Sequence, residues 1–225
     1  MGVLAVIFDM DGVLLDSEPI HLEATRALLA DLGIDYSASA DDNFFGCTDR
    51  DVFRVLKARY GLTIDEDQLA EAWVARVIPA LPSRVAPLPG VPAVLHELRR
   101  RGLRLALASS SVPLVIAASL EALGVASLFE ARVSGHDVDH GKPSPEIFLE
   151  AARRLGLQPE ECVVVEDSYN GLQAARAAGM RCAVVPCAST AHQEFSGASA
   201  RLTSLHELPG WMDTLETARD RLPLL

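Results

Sequence analysis

Four short runs of the chain are apolar with little polar alternation: residues 4–8, 103–108, 162–165 and 182–185. Such runs predict strands covered on both faces, as in a parallel sheet held between two layers of helices. Between them, residues 91–101, 114–123, 145–155 and 171–178 place apolar side chains at helical spacing, and each segment stops at a glycine (Gly102, Gly124, Gly156, Gly179). Glycine at that point suits the left-handed turn that ends a helix. Strands alternating with helices over short connections predict a doubly wound, Rossmann-like α/β fold with a mostly parallel sheet.

Residues 17–80 break the rhythm. Ser17 is placed to cap a helix that opens with Glu18 and Pro19, and further helical patterns run over 49–60, stopped by Gly61, and over 65–78. No strand pattern occurs there, so the segment is expected to be an all-helical cap, a lid inserted after the first strand. The catalytic core is expected from residues 1–16 and 81–225. Pro79, Pro82, Pro87, Pro89 and Pro92 read as a stiff return linker.

A chain of 225 residues with 49% hydrophobic and 23% charged residues can bury a substantial core. Its formal net charge of −11 argues against nucleic acid or an anionic membrane as partner. No run reaches membrane-spanning length, and the apolar opening lacks a basic flank, so a cytoplasmic protein is expected, with a monomer favoured. The four cysteines, Cys47, Cys162, Cys182 and Cys187, lack metal-site spacing and are given a structural role. Lys57 and Lys142 are the chain's two lysines, so a lysine inside a motif stands out.

Ligands of open α/β sheets bind beyond the carboxyl ends of the strands. Asp9-Met10-Asp11-Gly12 follows the first run, Ser109-Ser110-Ser111 the second, and Glu166-Asp167-Ser168 the third, while Gly141-Lys142-Pro143 precedes a helix. Asp9 and Asp11, two apart in extended chain, point to one side. Four converging carboxylates, Asp9, Asp11, Glu166 and Asp167, call for a cation, and hard oxygen ligands beside a phosphate point to Mg²⁺. Ser109, with Ser110 beside it, offers donors to phosphoryl oxygens, and Lys142 adds a positive charge. A nucleophile, a metal and donors for equatorial oxygens are what phosphoryl transfer requires. Each motif alone is weak; their joint order at strand ends is the signal.

FDMDGVLLDSE, LALASSS, GKPSPEIF and VVVEDSYNGLQAARAAGM resemble the four motifs of the haloacid dehalogenase superfamily, in the branch of β-phosphoglucomutase and sugar-phosphate phosphatases. The resemblance covers nearly the whole chain, the helical insertion included. It implies that Asp9 is the nucleophile of an aspartyl-phosphate and Asp11 the general acid/base. Ser109 and Lys142 then clamp the phosphate. Asp167 and Glu166 bind the metal, together with Asp9 and the Asp11 carbonyl.

Specificity is expected in the cap, with Ser17, Glu18 and His21 on its first helix and residues 44–50, including Thr48 and Arg50, in a loop. Arg76 is a further candidate, weighed against a solvated helix face. The mutase has an arginine for the distal phosphate where this chain has Asp49. That departure favours hydrolysis of small sugar or polyol phosphates. A β-phosphoglucomutase-like phosphomutase and a phosphoacceptor signalling module are the alternatives.

Overall fold

The computed structural model describes residues 2–36, 44 and 46–220, with side chains as far as residue 215. Strands β1 (Ala5–Phe8), β2 (Arg104–Ser109), β3 (Ala131–Ser134), β4 (Cys162–Glu166), β5 (Arg181–Val184) and β6 (Ala200–Arg201) form one sheet in the order β3-β2-β1-β4-β5-β6. Every neighbouring pair is parallel. The uninterrupted apolar runs are buried on both faces. In β1, Val6 and Phe8 join one hydrophobic cluster while Ala5 and Ile7 join the other, and β2 divides its leucines and alanines in the same way.

Helices α4 (Val91–Arg100), α5 (Pro113–Ala122) and α8 (Leu208–Asp220) cover the first face. The second is covered by α6 (Glu146–Leu155), through Ile147, Phe148, Ala151 and Leu155, and by α7 (Tyr169–Ala177), through Leu172 and Ala175. The four stop glycines all adopt positive φ, as the pattern requires.

Between β1 and α4 lie α1 (Glu18–Asp31), α2 (Asp49–Tyr60) and α3 (Glu66–Arg84), with no strand among the described residues. Their buried side chains, among them Leu28, Leu56, Trp73 and Leu81, belong to the same cluster that covers the first face of the sheet. Helix α3 corrects the expected return linker. It runs through Pro79 and Pro82 to Arg84, and Pro92 lies in the first turn of α4, so Pro87 and Pro89 alone of the five stand outside helices. An internal proline costs a helix about 3 kcal/mol, and here the complete burial of Val77 and Leu81 holds the last turns in place. No helix among the described residues is long and apolar enough to cross a membrane.

Candidate active site

Asp9 follows the last residue of the central strand, and its backbone N–H continues the sheet by donating to the Val165 carbonyl at 2.9 Å. The neighbouring strand β4 brings Glu166 and Asp167 alongside. One oxygen from each of Asp9, Glu166 and Asp167 lies within 4.8 Å of the others. Lys142, completely buried at its side chain, places Nζ 2.5 Å from both Asp9 Oδ1 and Glu166 Oε1, and donates to the Ala108 carbonyl at 3.3 Å. The other oxygen of Glu166 accepts from the Asp167 and Ser168 backbone N–H groups and from the Ser168 hydroxyl.

Three buried carboxylates against one ammonium leave the cluster short of positive charge. Burial raises the Asp9 pKa well above the ordinary value; Lys142 opposes this, and Glu166, Asp11 and Asp167 add to it. Asp167 is pushed up to about 7, by burial and then by Glu166. Burial would lower the Lys142 pKa, but Asp9 and Glu166 outweigh it and hold the ammonium charged. A divalent cation meets this electrostatic demand, and the all-oxygen donor set fits Mg²⁺.

Two glycines make the cluster possible. A Cβ on Gly171 would stand 1.9 Å from the Glu166 carboxylate, and one on Gly12, at φ +81°, would stand 2.2 Å from Asp167 Oδ2.

The Asp11 carboxylate stands apart from the grouped oxygens. Ser17 donates its hydroxyl to Oδ1, and Ser109 and Ser111 donate to Oδ2 at 3.4 and 3.2 Å. This corrects one expectation. Ser17 sits at the N-cap position of α1, yet its hydroxyl makes no capping hydrogen bond. Ser110 directs its hydroxyl to the Gly46 carbonyl at 2.8 Å, and the neighbouring Ser111 is the one that reaches Asp11.

Above these groups opens a cavity of about 220 Å³. Asp9, Asp11 and Asp167 line it from the sheet side, and Asp16, Glu18, His21, Thr25, Asp49, Phe53 and Trp73 from the helical side. His21 packs on Trp73 with ring centroids 5.0 Å apart, and its Nε2 is buried without a partner among the described residues. Burial lowers its pKa, with Asp11 opposing. Glu18 is raised to about 7 by partial loss of solvent, then by Asp16 and Asp11. Asp49 is also raised to about 7, by burial and Asp11, against a hydrogen bond from the Val112 N–H at 3.2 Å.

The structure does not bring every candidate to the cavity. Thr48 is the N-cap of α2, accepting from the Asp51 N–H and donating to its carboxylate. Arg50 is exposed and outside the lining, and Arg76 is held on the surface by Asp31 and the Ala72 carbonyl. Phe44, Gly46 and Cys47 of the loop line the cavity, whereas Phe45 lies outside the described residues.

Two cysteines expected to be structural also face it. Cys47 lines the wall, and Cys187 donates its thiol to Asp167 Oδ2 at 3.1 Å, beside the Thr190 hydroxyl at the same distance. Cys187 and Thr190 lie just beyond the carboxyl end of β5. The fourth apolar run thus carries the same signal as the other three: the polar residues past its end face the site.

Residues 6–185 match the family described as haloacid dehalogenase-like hydrolase. The chain belongs to that family. Fructose-1-phosphate phosphatase YqaB of Escherichia coli (strain K12) is 38% identical over 178 residues, 78% of this chain and 92% of that one. Hexitol phosphatase B of the same strain is 34% identical over 219 residues, 92% and 94% of the two chains. The crystal structure of CbbY from Rhodobacter sphaeroides in complex with xylulose-(1,5)bisphosphate superposes with a TM-score of 0.85 at 30% identity, covering 92% of this chain and 96% of that one. This haloacid dehalogenase-like hydrolase is accordingly an enzyme of the phosphatase class, a phosphoric monoester hydrolase.

The raised carboxyls of the hydrolase give a stability prediction. Asp167 and Asp49 bind protons more tightly folded than unfolded, so between about pH 4 and pH 7 the native state holds the extra protons. Their stabilising contribution is complete below the unfolded pKa and is lost as pH rises through about 7. In the presence of a chelator, these two groups are expected to make the midpoint of thermal unfolding fall from about pH 4 to about pH 7 and level off above it. Asp49→Asn should flatten that fall, and an unchanged slope in the folded variant contradicts the assignment.

Proposed function

We propose that the chain is a Mg²⁺-dependent phosphatase that hydrolyses small sugar or polyol phosphates through an aspartyl-phosphate on Asp9. The observation that carries this reading is the placement of Asp9 on the cavity floor, 2.5 Å from the buried Lys142 ammonium, with Asp11 two residues on and turned to a different set of partners. Asp9 attacks phosphorus and the ester oxygen departs, taking a proton from the Asp11 carboxyl. Asp11 then accepts a proton from water as that water attacks the acyl phosphate, releasing inorganic phosphate and restoring Asp9. Ser17, Ser109 and Ser111 fix the Asp11 carboxylate between hydroxyls for both steps. Lys142 neutralises Asp9 and sets positive charge beneath the phosphoryl group, and Ser109 with the Ser110 backbone N–H supplies donors for phosphoryl oxygens.

Asp9, Glu166 and Asp167 would hold the Mg²⁺ ion, with the Asp11 carbonyl as an uncharged ligand; when bound, the ion supplies positive charge to the phosphoryl oxygens. The relatives named for fructose 1-phosphate and hexitol phosphates support a small polyhydroxylated substrate, as does a cavity of about 220 Å³. The helical segment 17–80 acts as the lid that closes over it and carries specificity. A phosphomutase must hold a second phosphate away from Asp9. The cavity presents Asp49 where that group would need a cation, and Arg50 lies outside, so hydrolysis is favoured.

Turnover of a panel of sugar and polyol phosphates is expected to stop on addition of EDTA and to return with Mg²⁺. Calcium, with its larger and looser shell, is expected to inhibit. Full activity in metal-free buffer would refute the metal assignment.

A further inference from the structure

We infer that the helical wall of the cavity, which includes Asp49, is a charge filter. It admits a phosphomonoester whose remaining part is uncharged or carries an amine, and excludes one that bears a second phosphate or a carboxylate. The inference rests on the phosphatase reading and names its substrate class more closely.

The filter follows from where the positive charges are. Among the described residues lining the cavity there is no lysine and no arginine, while Asp16, Glu18 and Asp49 face it from the helical side. Residues 37–43 and 45 supply no cation whatever their placement, because the sequence from 27 to 49 holds no lysine, arginine or histidine.

The cations of the helical segment lie outside the lining. Lys142 lies under Asp9, bound to Asp9 and Glu166. Arg76 pairs with Asp31, Arg84 with Glu23, Arg54 with Asp51 and Lys57 with Glu66, and Arg26 and Arg50 are exposed outside the lining. Positive charge at the floor, from Lys142 and a bound metal, is balanced by the floor's own carboxylates and the transferring phosphoryl group. A second anion on the substrate would meet the wall instead.

Asp49 cannot easily swing away. Its Oδ2 accepts the N–H of Val112, the residue that leads into α5, which ties the wall carboxylate to the core. Above about pH 7 Asp49 carries its charge, and in a cavity also lined by Phe53 and Trp73 that charge is weakly screened, so like-charge contact is unfavourable. A hydroxyl can donate to Asp49 or Glu18, and an ammonium can pair with either. Specificity here comes from a built-in repulsion as much as from an attraction.

The test uses substrates on one carbon skeleton with Mg²⁺ present, above the raised pKa of about 7 of Asp49 and Glu18 so that both are ionised: sorbitol 6-phosphate, 6-phosphogluconate, glucose 6-phosphate and glucosamine 6-phosphate. The first pair differs at carbon 1, alcohol against carboxylate; the second pair differs at carbon 2, alcohol against amine. The expected kcat/KM for sorbitol 6-phosphate exceeds that for 6-phosphogluconate by about tenfold or more. Glucosamine 6-phosphate is expected within about threefold of glucose 6-phosphate, or above it.

Asp49→Asn, and independently Glu18→Gln in case the first variant folds poorly, should narrow the sorbitol-to-gluconate ratio, Asp49→Asn the more strongly. Hydrolysis of all four at similar efficiency overturns the filter and leaves the phosphatase reading standing. A ratio unchanged in both folded variants overturns the assignment to this wall. No phosphate release from any of the four overturns the phosphatase reading and the filter with it.

Discussion

Asp9→Asn is expected to remove phosphate release by about four orders of magnitude or more while leaving the protein folded. The amide is isosteric but is a poor nucleophile and cannot form an acyl phosphate. Folding should survive because Lys142 keeps Glu166 as a partner at 2.5 Å and the Ala108 carbonyl at 3.3 Å. Removing a carboxyl whose pKa is raised first by burial and then by Glu166, Asp11 and Asp167 also relieves charge crowding in the cluster. Phosphate release and thermal unfolding measured on the same preparation check both halves. Turnover within about tenfold of wild type in a folded protein would remove Asp9 from the nucleophile's role.

Much of the site is legible in the sequence because strand ends are legible. An uninterrupted apolar run marks a strand buried on both faces, and the polar residue that ends it must sit at the sheet's carboxyl edge. Asp9, Ser109 and Glu166 all stand at such ends, and the sheet order, with β1 between β2 and β4, brings them together. Helix α2 is legible at both ends, since Thr48 caps it and Gly61 closes it at positive φ.

The illegible parts lie at sheet edges and on helix faces. Strand β3 carries the exposed Arg132, and β6 is a two-residue edge, so neither shows an apolar run. The prolines of α3 resemble helix breakers because sequence does not show that Val77 and Leu81 are fully buried. Arg50 and Arg76 are candidates in sequence because they are cations on the helical segment; which way a helical side chain points depends on packing that only the folded chain reveals. The roles of Ser17 and Ser111 are hidden for a related reason. A hydroxyl shows nothing in sequence of which carboxylate it will serve.

Lys142→Met should be the most damaging single change to stability within the site. The lysine side chain is fully buried between Asp9 and Glu166, and methionine fills a comparable volume without charge. Losing the cation leaves two carboxylates buried with no counter-charge, a change that costs about 3–5 kcal/mol when a buried ion pair loses one partner. Arginine should not rescue it, because a planar guanidinium needs more room than a fully buried ammonium leaves. Activity should fall by about two orders of magnitude or more, since in the proposed mechanism the same ammonium neutralises the nucleophile and sets positive charge beneath the phosphoryl group.

Two dependences separate this electrostatic loss from simple loss of packing. The deficit should shrink as pH is lowered, because the stranded carboxylates then take up protons, the form that burial already favours for Asp9. It should also shrink on adding Mg²⁺, with a steeper gain per unit concentration than in the wild type, as expected when a ligand of the native state supplies the missing charge. Urea unfolding of both proteins at two pH values, with chelator and with Mg²⁺, reads all of this in one series. A deficit that stays the same under all four conditions would mean that Lys142 acts through its packing against Phe148, 5.0 Å from the ring centroid, and not through its charge.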